Sequence, residues 1–391
     1  MRQPIDKASL ERYLEQHVPE IKVPITIRQF EYGQSNPTYR LTDRHSRDFV
    51  LRKKPPGKLL TTAAHQVERE FRVISALNQS PGIPVPRAYC LCEDVGVVGT
   101  PFYIMEFLDG RIFKEAYIPG VSAEERSLMW KEAVQTLARL HGVDPAAVGL
   151  TNTTTTGAAN FGQPRGFYAR QIRTLKRLDA SYSQVRDVET GEAVGRIPGM
   201  DEMVAFFEDQ GSAPQDRGAI THGDYKIDNL VFHKTKPVII GILDWEIATV
   251  GHPLSDLSNL TMPWTVTQGF TDIKTHAHPA FAGADAATSP PGLPTKQQCL
   301  DWYREVAGWD PRGDMAWSDA FAVFRTGVMI QGIAARWAVR QSSGEGSSSA
   351  ELALERFPYS RAALSMVREL KRRAQQEQQN QGERNKKRAV L

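Results

Sequence analysis

An α+β protein in two lobes, an antiparallel sheet followed by a mainly helical region, is the fold this sequence predicts. Two observations carry the prediction. Short apolar-alternating runs divided by polar turns fill residues 25–107, and apolar positions at helical spacing dominate after Asp109-Gly110. A chain of 391 residues and 43.7 kDa is long enough to build two cores.

In chain order, Leu10, Tyr13, Leu14 and Val18 share one face of a short helix. Ile25–Phe30 reads as a strand, broken by Gly33-Gln34-Ser35-Asn36-Pro37. Thr38–Leu41 and Asp48–Arg52 are the next strands. A helix carrying Val67, Phe71, Ile74 and Leu77 follows, and Pro81-Gly82 stops it. Strands at Ala88–Cys92 and Phe102–Phe107 flank a turn at Glu93–Gly99. Ser122-Ala123-Glu124-Glu125 is a capping box opening a helix that presents Trp130, Val134, Leu137 and Leu140, ended by Gly142. A polar loop spans 151–165, and helices are expected at Phe167–Leu178 and Met200–Gln210. Paired strands at 219–224 and 227–245 come next, then a Pro/Gly/Ala-rich loop at 279–294. Helices at Gln297–Gly308, Trp317–Val339 and Leu352–Arg373 close the body, with a Ser/Gly linker at 341–350 and a disordered basic tail at 374–391.

Composition narrows the function. With 41% hydrophobic and 24% charged residues, the chain is an ordinary globular one. The net charge of +3 resides in the tail, where seven Lys/Arg after residue 370 face Glu377 and Glu383. The body is therefore slightly acidic, and no nucleic-acid partner is expected. Cys90, Cys92 and Cys299 form neither a metal quartet nor a disulfide framework, which fits a reducing compartment. The polar N-terminus lacks a signal-peptide core, and no run is long enough for a transmembrane helix, so a cytoplasmic protein is expected. His276-Ala277-His278 supplies two potential metal ligands, too few for a site, and reads as a solvated face.

The chemistry concentrates in Ile220-Thr221-His222-Gly223-Asp224-Tyr225-Lys226-Ile227-Asp228-Asn229-Leu230 and in Ile242-Leu243-Asp244-Trp245. A carboxylate able to accept a hydroxyl proton, Asp224, precedes an amide, Asn229, and a second carboxylate, Asp244, at fixed spacing. Phosphoryl transfer uses such a base, and Mg²⁺ takes a few oxygen ligands beside waters and phosphates. Asp224 is the candidate catalytic residue, and Asn229 and Asp244 are the candidate metal ligands.

Together with Gln34–Tyr39 and Val50–Gly57, these segments resemble the aminoglycoside phosphotransferase-like kinases, over about residues 24–340. The resemblance extends to the kinase domain at the N-terminus of some acyl-CoA dehydrogenases, with no dehydrogenase portion following. It implies a protein-kinase-like fold, with residues 1–105 as a nucleotide-binding lobe and 106–373 as the catalytic and substrate lobe. ATP and Mg²⁺ are the implied cofactors. Arg52 stands where kinases carry a phosphate-gripping Lys, with Lys54 on the same strand face and Glu70 as its helix partner. Ser35, Asn36 and Thr38 of the Gly33 loop would face phosphates. Met105, Glu106 and Leu108 would form the adenine hinge. Asp256 would anchor the catalytic loop, and 150–215 would form a lid over a small molecule.

The expected activity is transfer of the γ-phosphoryl group of ATP to a hydroxyl of a small molecule, a hydroxy acid or hydroxyacyl thioester in view of the dehydrogenase-linked relatives. The alternative is a nucleotide-binding pseudokinase or regulatory binding protein, because Arg52 departs from Lys. The absence of Ala-Pro-Glu and Asp-Phe-Gly segments disfavours a protein substrate.

Overall fold

The computed structural model describes residues 5–30, 36–55, 66–151, 161–209, 211–283, 286–341 and 346–389. Helix α1 (Lys7–His17) begins on Asp6, whose side chain accepts from the Ser9 N–H. Strands β1 (Thr26–Gln29), β2 (Thr38–Thr42) and β3 (Asp48–Lys53) precede helix α2 (Val67–Leu77). Strands β4 (Ala88–Cys92) and β5 (Phe102–Glu106) then complete an antiparallel sheet of order β1-β2-β3-β5-β4. Between these two, the expected turn contains a single-turn helix, α3 (Val95–Val98), started by Asp94 accepting from the Gly96 N–H.

Alternation along the strands decides which face each residue serves. Phe49, Leu51, Phe102 and Ile104 pack with Leu10 and Leu14 of α1 on one face. Val50, Tyr103 and Met105 pack with Val67, Ile74 and Leu77 of α2 on the other, in a core that continues into the second lobe. Arg52 shares the parity of Val50 and so lies on the second face, toward the interlobe cleft. Lys53 projects oppositely: its ammonium is buried and donates to the Val98 carbonyl at 2.8 Å.

The second lobe opens with α4 (Ala123–His141). Ser122 accepts from the Glu125 N–H at 3.1 Å, but the reciprocal half of the capping box is missing because the Glu125 carboxylate pairs with Arg111 at 2.7 Å. Helices α5 (Phe167–Ser183) and α6 (Met200–Phe207) follow. Strand β6 (Ala219–Thr221) leads to a 3₁₀ turn at Ile227–Asn229, then β7 (Leu230–Phe232), β8 (Ile239–Ile242) and β9 (Thr249–Gly251). The expected pairing of 219–224 with 227–245 is not what forms: β6 pairs with β9, and β7 with β8. The polar turn carrying Asp224–Asn229 thus separates two small ribbons instead of closing one hairpin.

Helices α7 (Leu254–Leu260), α8 (Met262–Gly269), α9 (Lys296–Ala307), α10 (Arg312–Ala338), α11 (Gly346–Leu354) and α12 (Arg356–Ala389) complete the lobe. The expected linker at 341–350 is therefore helical from Gly346, and the expected disordered tail continues α12 to Ala389. The physical reason is composition: Gln, Glu, Lys and Arg are strong helix formers even where they bury nothing. The insert expected as a lid instead joins a second core, where Phe167, Ile172, Met203 and Phe207 pack against Phe321, Phe324 and Tyr359.

The lobes meet at Asp109–Arg111, where Arg111 exchanges backbone hydrogen bonds with Phe232. A Cβ on Gly110 would stand 2.4 Å from the Phe232 carbonyl oxygen and 2.6 Å from Val231 Cγ1. Gly110→Ala is expected to lower stability by about 1–3 kcal/mol through overpacking, measured as a shift of the urea midpoint.

Candidate active site

Two cavities flank the Asp224–Asn229 turn. The first, about 330 Å³, lies between the lobes and is lined by Thr38, Val50, Arg52, Glu70 and Met105 above and by Asn229, Ile242 and Asp244 below. The second, about 320 Å³, is lined by Lys226, Ile227 and Asp228 of the same turn, with contributions from 114–116, 259–263 and 274–281. No described residue of the expected lid lines it.

In the first cavity, Arg52 organises three carboxylates. Its guanidinium donates to Glu70 at 3.0 Å, Asp244 at 2.7 Å and Glu246 at 3.2 Å. Glu70 is 1% exposed, and its pKa is raised by burial despite the opposing pull of Arg52. Asp244 differs: burial pushes its carboxyl up, but the adjacent Arg52 outweighs this and holds it below its ordinary value. One guanidinium against three carboxylates leaves excess negative charge facing the cavity, an oxygen-rich setting suited to a hard cation. Asp244 adopts φ +68°, a left-handed conformation that Asp tolerates better than most residues but that still costs energy. Lys54 does not share this role, since its ammonium pairs with Glu68 at 2.5 Å.

The turn itself is held from several sides. The Asn229 amide nitrogen donates to the Asp224 backbone oxygen at 2.8 Å and its carboxylate at 3.2 Å. Both contacts use the nitrogen, which leaves the Asn229 amide oxygen for another partner. Lys226 sits 3.3 Å from both Asp224 and Asp228, and Asn259 donates to Asp224 at 3.4 Å. Burial raises the Asp228 carboxyl, partly offset by Lys226. His222 accepts from the Asp224 N–H and donates from Nε2 to the Leu243 carbonyl at 2.8 Å. One neutral tautomer satisfies both bonds, so the buried imidazole staples the turn to the strand end that carries Asp244.

Beneath the turn, Asp256 is fully buried. Its carboxylate accepts from the His222 N–H at 2.7 Å, the Gly223 N–H at 2.8 Å and His141 Nε2 at 3.2 Å. Burial pushes its carboxyl up, but these hydrogen bonds prevail and hold it below the ordinary range. Gly223 has φ +87°, and a Cβ there would lie 2.9 Å from Ile247. The backbone must turn sharply at this point to project Asp224, and glycine permits it.

The remaining expected residues divide. Met105 and Leu108 line the first cavity, and Thr38 is at its rim. The Glu106 N–H is engaged by the Arg87 carbonyl at 2.8 Å, whereas the Leu108 N–H has no backbone partner among the described residues. Asn36 is buried, and its amide contacts Glu246 at 3.5 Å instead of entering the cavity. Ser35 lies outside the described residues. Glu246 went unmarked in the sequence; the left-handed Asp244 and the turn that follows it bring this second carboxylate to Arg52. His276 is exposed, as expected of a solvated face, whereas His278 is half-buried. His276 lines the second cavity with its Nδ1 on the Tyr359 hydroxyl at 2.7 Å, and His278 stacks on Tyr117 at 4.5 Å.

Known proteins resemble this chain over most of its length. The model of the phosphotransferase enzyme family matches residues 26–288. The chain is 35% identical over 348 residues to rat acyl-CoA dehydrogenase family member 11, covering 88% of this chain and 41% of that protein. It therefore spans about two fifths of that curated relative's length. A solved structure from Ralstonia eutropha, provisionally assigned as an aminoglycoside phosphotransferase, is 31% identical with a TM-score of 0.75, covering 94% of this chain and 99% of that one. Plasmodium vivax ethanolamine kinase shares the fold at 14% identity and a TM-score of 0.57, covering 89% and 85% of the two chains.

Proposed function

The chain belongs to the phosphotransferase enzyme family, and from that premise we propose that it transfers the γ-phosphoryl group of ATP to an alcohol acceptor, a hydroxyl of a small hydroxy acid or hydroxyacyl thioester. The observation that carries the reading is the single turn, Asp224–Asn229, shared by two cavities, one bearing Arg52 and Asp244 and the other open to a second molecule.

The adenine edge is met by the Leu108 N–H and the Glu106 carbonyl, with Met105 packing beside it. Arg52, oriented by Glu70, holds the phosphates; its fixed charge and planar fork suit two phosphate oxygens at once. Asn229 through its amide oxygen and Asp244 would hold Mg²⁺, an assignment that fits the oxygen-only donors and the excess negative charge. When bound, the cation neutralises phosphate charge. Asp224 receives the acceptor's hydroxyl proton as that oxygen bonds to the γ-phosphorus and the bond to the ADP oxygen breaks. Lys226, beside Asp224, adds positive charge where negative charge accumulates. Asp256 and His222 position the base without touching the reactants.

The test is product formation from γ-labelled ATP against a panel of hydroxy acids, hydroxyacyl-CoAs, sugars and simple alcohols, with and without EDTA. A phosphorylated product that disappears with chelation and returns with Mg²⁺ is expected. ATP binding with no product from any class would sink the kinase reading in favour of a nucleotide-binding regulator.

A further inference from the structure

The second cavity carries charged groups beyond those the phosphoryl-transfer machinery uses. Lys114, Lys226 and Lys274 line it, against Glu115 and Asp228. Lys226 is occupied, 3.3 Å from both Asp224 and Asp228. Lys274 is different. Its ammonium has no hydrogen-bond or ion-pair partner among the described residues, yet it sits at a cavity whose other walls include Leu260, Pro263 and Phe281.

The position of Lys274 is built, not incidental. Glu355, 8% exposed, accepts from the Lys274 N–H at 3.0 Å and the Thr275 N–H at 3.3 Å. The Tyr359 hydroxyl donates to the Thr275 carbonyl at 2.9 Å and accepts from His276 Nδ1 at 2.7 Å. Arg361 pairs with Asp272 at 2.6 Å at the start of the same loop. His276 has φ +65°, a conformation that costs energy in a non-glycine residue and persists where its surroundings enforce it. Its ring lies within electrostatic reach of both Lys226 and Asp224, so the loop borders the site of chemistry. The start of α12 thus clamps the loop in the shape that brings Lys274 and His276 to the acceptor side of Asp224.

We infer that this cavity selects an acceptor carrying an anionic group in addition to its reacting hydroxyl, and that Lys274 is the counter-ion of that group. The inference rests on the kinase reading and deepens it by assigning the determinant of acceptor class. A carboxylate of a free hydroxy acid and a phosphate of a thioester's carrier would supply the same charge. A polycationic amino sugar would bring like charges against Lys114 and Lys274, an arrangement that disfavours it.

The experiment has a binding arm and a turnover arm. Binding of hydroxy acids from lactate to hydroxydecanoate, their amides, and hydroxybutyryl-CoA is measured by calorimetry on the full chain. Rates with the same panel are measured under ATP and Mg²⁺. Wild type is expected to favour an acid or the CoA ester over the neutral amide by roughly tenfold or more, the scale of one hydrogen bond to a charged group. Lys274→Gln should raise KM for the anionic acceptor by about the same factor and collapse the acid-to-amide ratio toward one, and Lys274→Arg should restore most of it. A general loosening of the loop would weaken acid and amide together, and Arg would not rescue it. Preference for the acid identifies a carboxylate source, and preference for the CoA ester a carrier phosphate. Equal use of acid, CoA ester and amide by wild type, or an undiminished preference for the anionic acceptor in Lys274→Gln, overturns the inference. Lys274-dependent binding of acids without any phosphorylated product leaves the inference standing and removes the kinase reading; no selective binding of any anion removes the inference whether or not a neutral acceptor is phosphorylated.

Discussion

Asp224→Asn is expected to lower kcat by about 10²–10⁴-fold, the contribution of a positioned general base, with ATP affinity changing far less. The separation follows from geometry. Asp224 does not line the interlobe cavity where Arg52, Met105 and Leu108 lie, and its carboxylate contacts Asn229, Asn259 and Lys226. The substitution preserves shape but places an amide nitrogen among donors, so the thermal midpoint should be recorded beside the rate. Turnover within about tenfold of wild type on an identified acceptor, with the fold intact, would remove Asp224 from the role of base.

Asp256→Ala should produce the largest loss of stability, about 3–5 kcal/mol, because it breaks a buried charged network by removing one partner. The N–H groups of His222 and Gly223 and the His141 ring would lose their acceptor at once. Activity should fall with stability, since the same bonds aim the turn that carries Asp224. The pH dependence has a definite sign. The folded-state pKa of Asp256 lies below its ordinary value, so its contribution is fully present above the ordinary aspartate pKa and is lost as pH falls through the lowered one. The gap in urea midpoint between wild type and Asp256→Ala should therefore be flat near neutrality and close below about pH 4. A gap that widens on acidification would contradict the assignment of a charged Asp256 as the anchor.

Much of the first lobe was legible because strand parity and helix periodicity are local. The alternation of Asp48–Lys53 separates Arg52 from Lys53, and the apolar face of α2 picks Glu70 over Glu68 as the inward carboxylate. In the structure Arg52 meets Glu70, while Glu68 takes Lys54. Strand partners in the second lobe were not legible. Strands β6 to β9 are three or four residues each, too short to carry a register signal, and their pairing is decided by which surfaces the surrounding helices leave open. The helical course of 374–389 was missed for a different reason: low hydrophobicity argues for disorder, but the same residues have high helix propensity.

The sequence alone determined the lobe order and the family, and it named Asp224, Asn229 and Asp244 with Arg52 and Glu70 as the candidate site, because short-range spacing on strands and turns carries these patterns. Tertiary structure alone decided the rest. Glu246 joins Arg52, and Lys274 and His276 reach the second cavity through the clamp on Glu355 and Tyr359. Those contacts join segments as much as 194 residues apart. Burial and charge compensation select such pairs only after the chain has packed, and no local pattern records them.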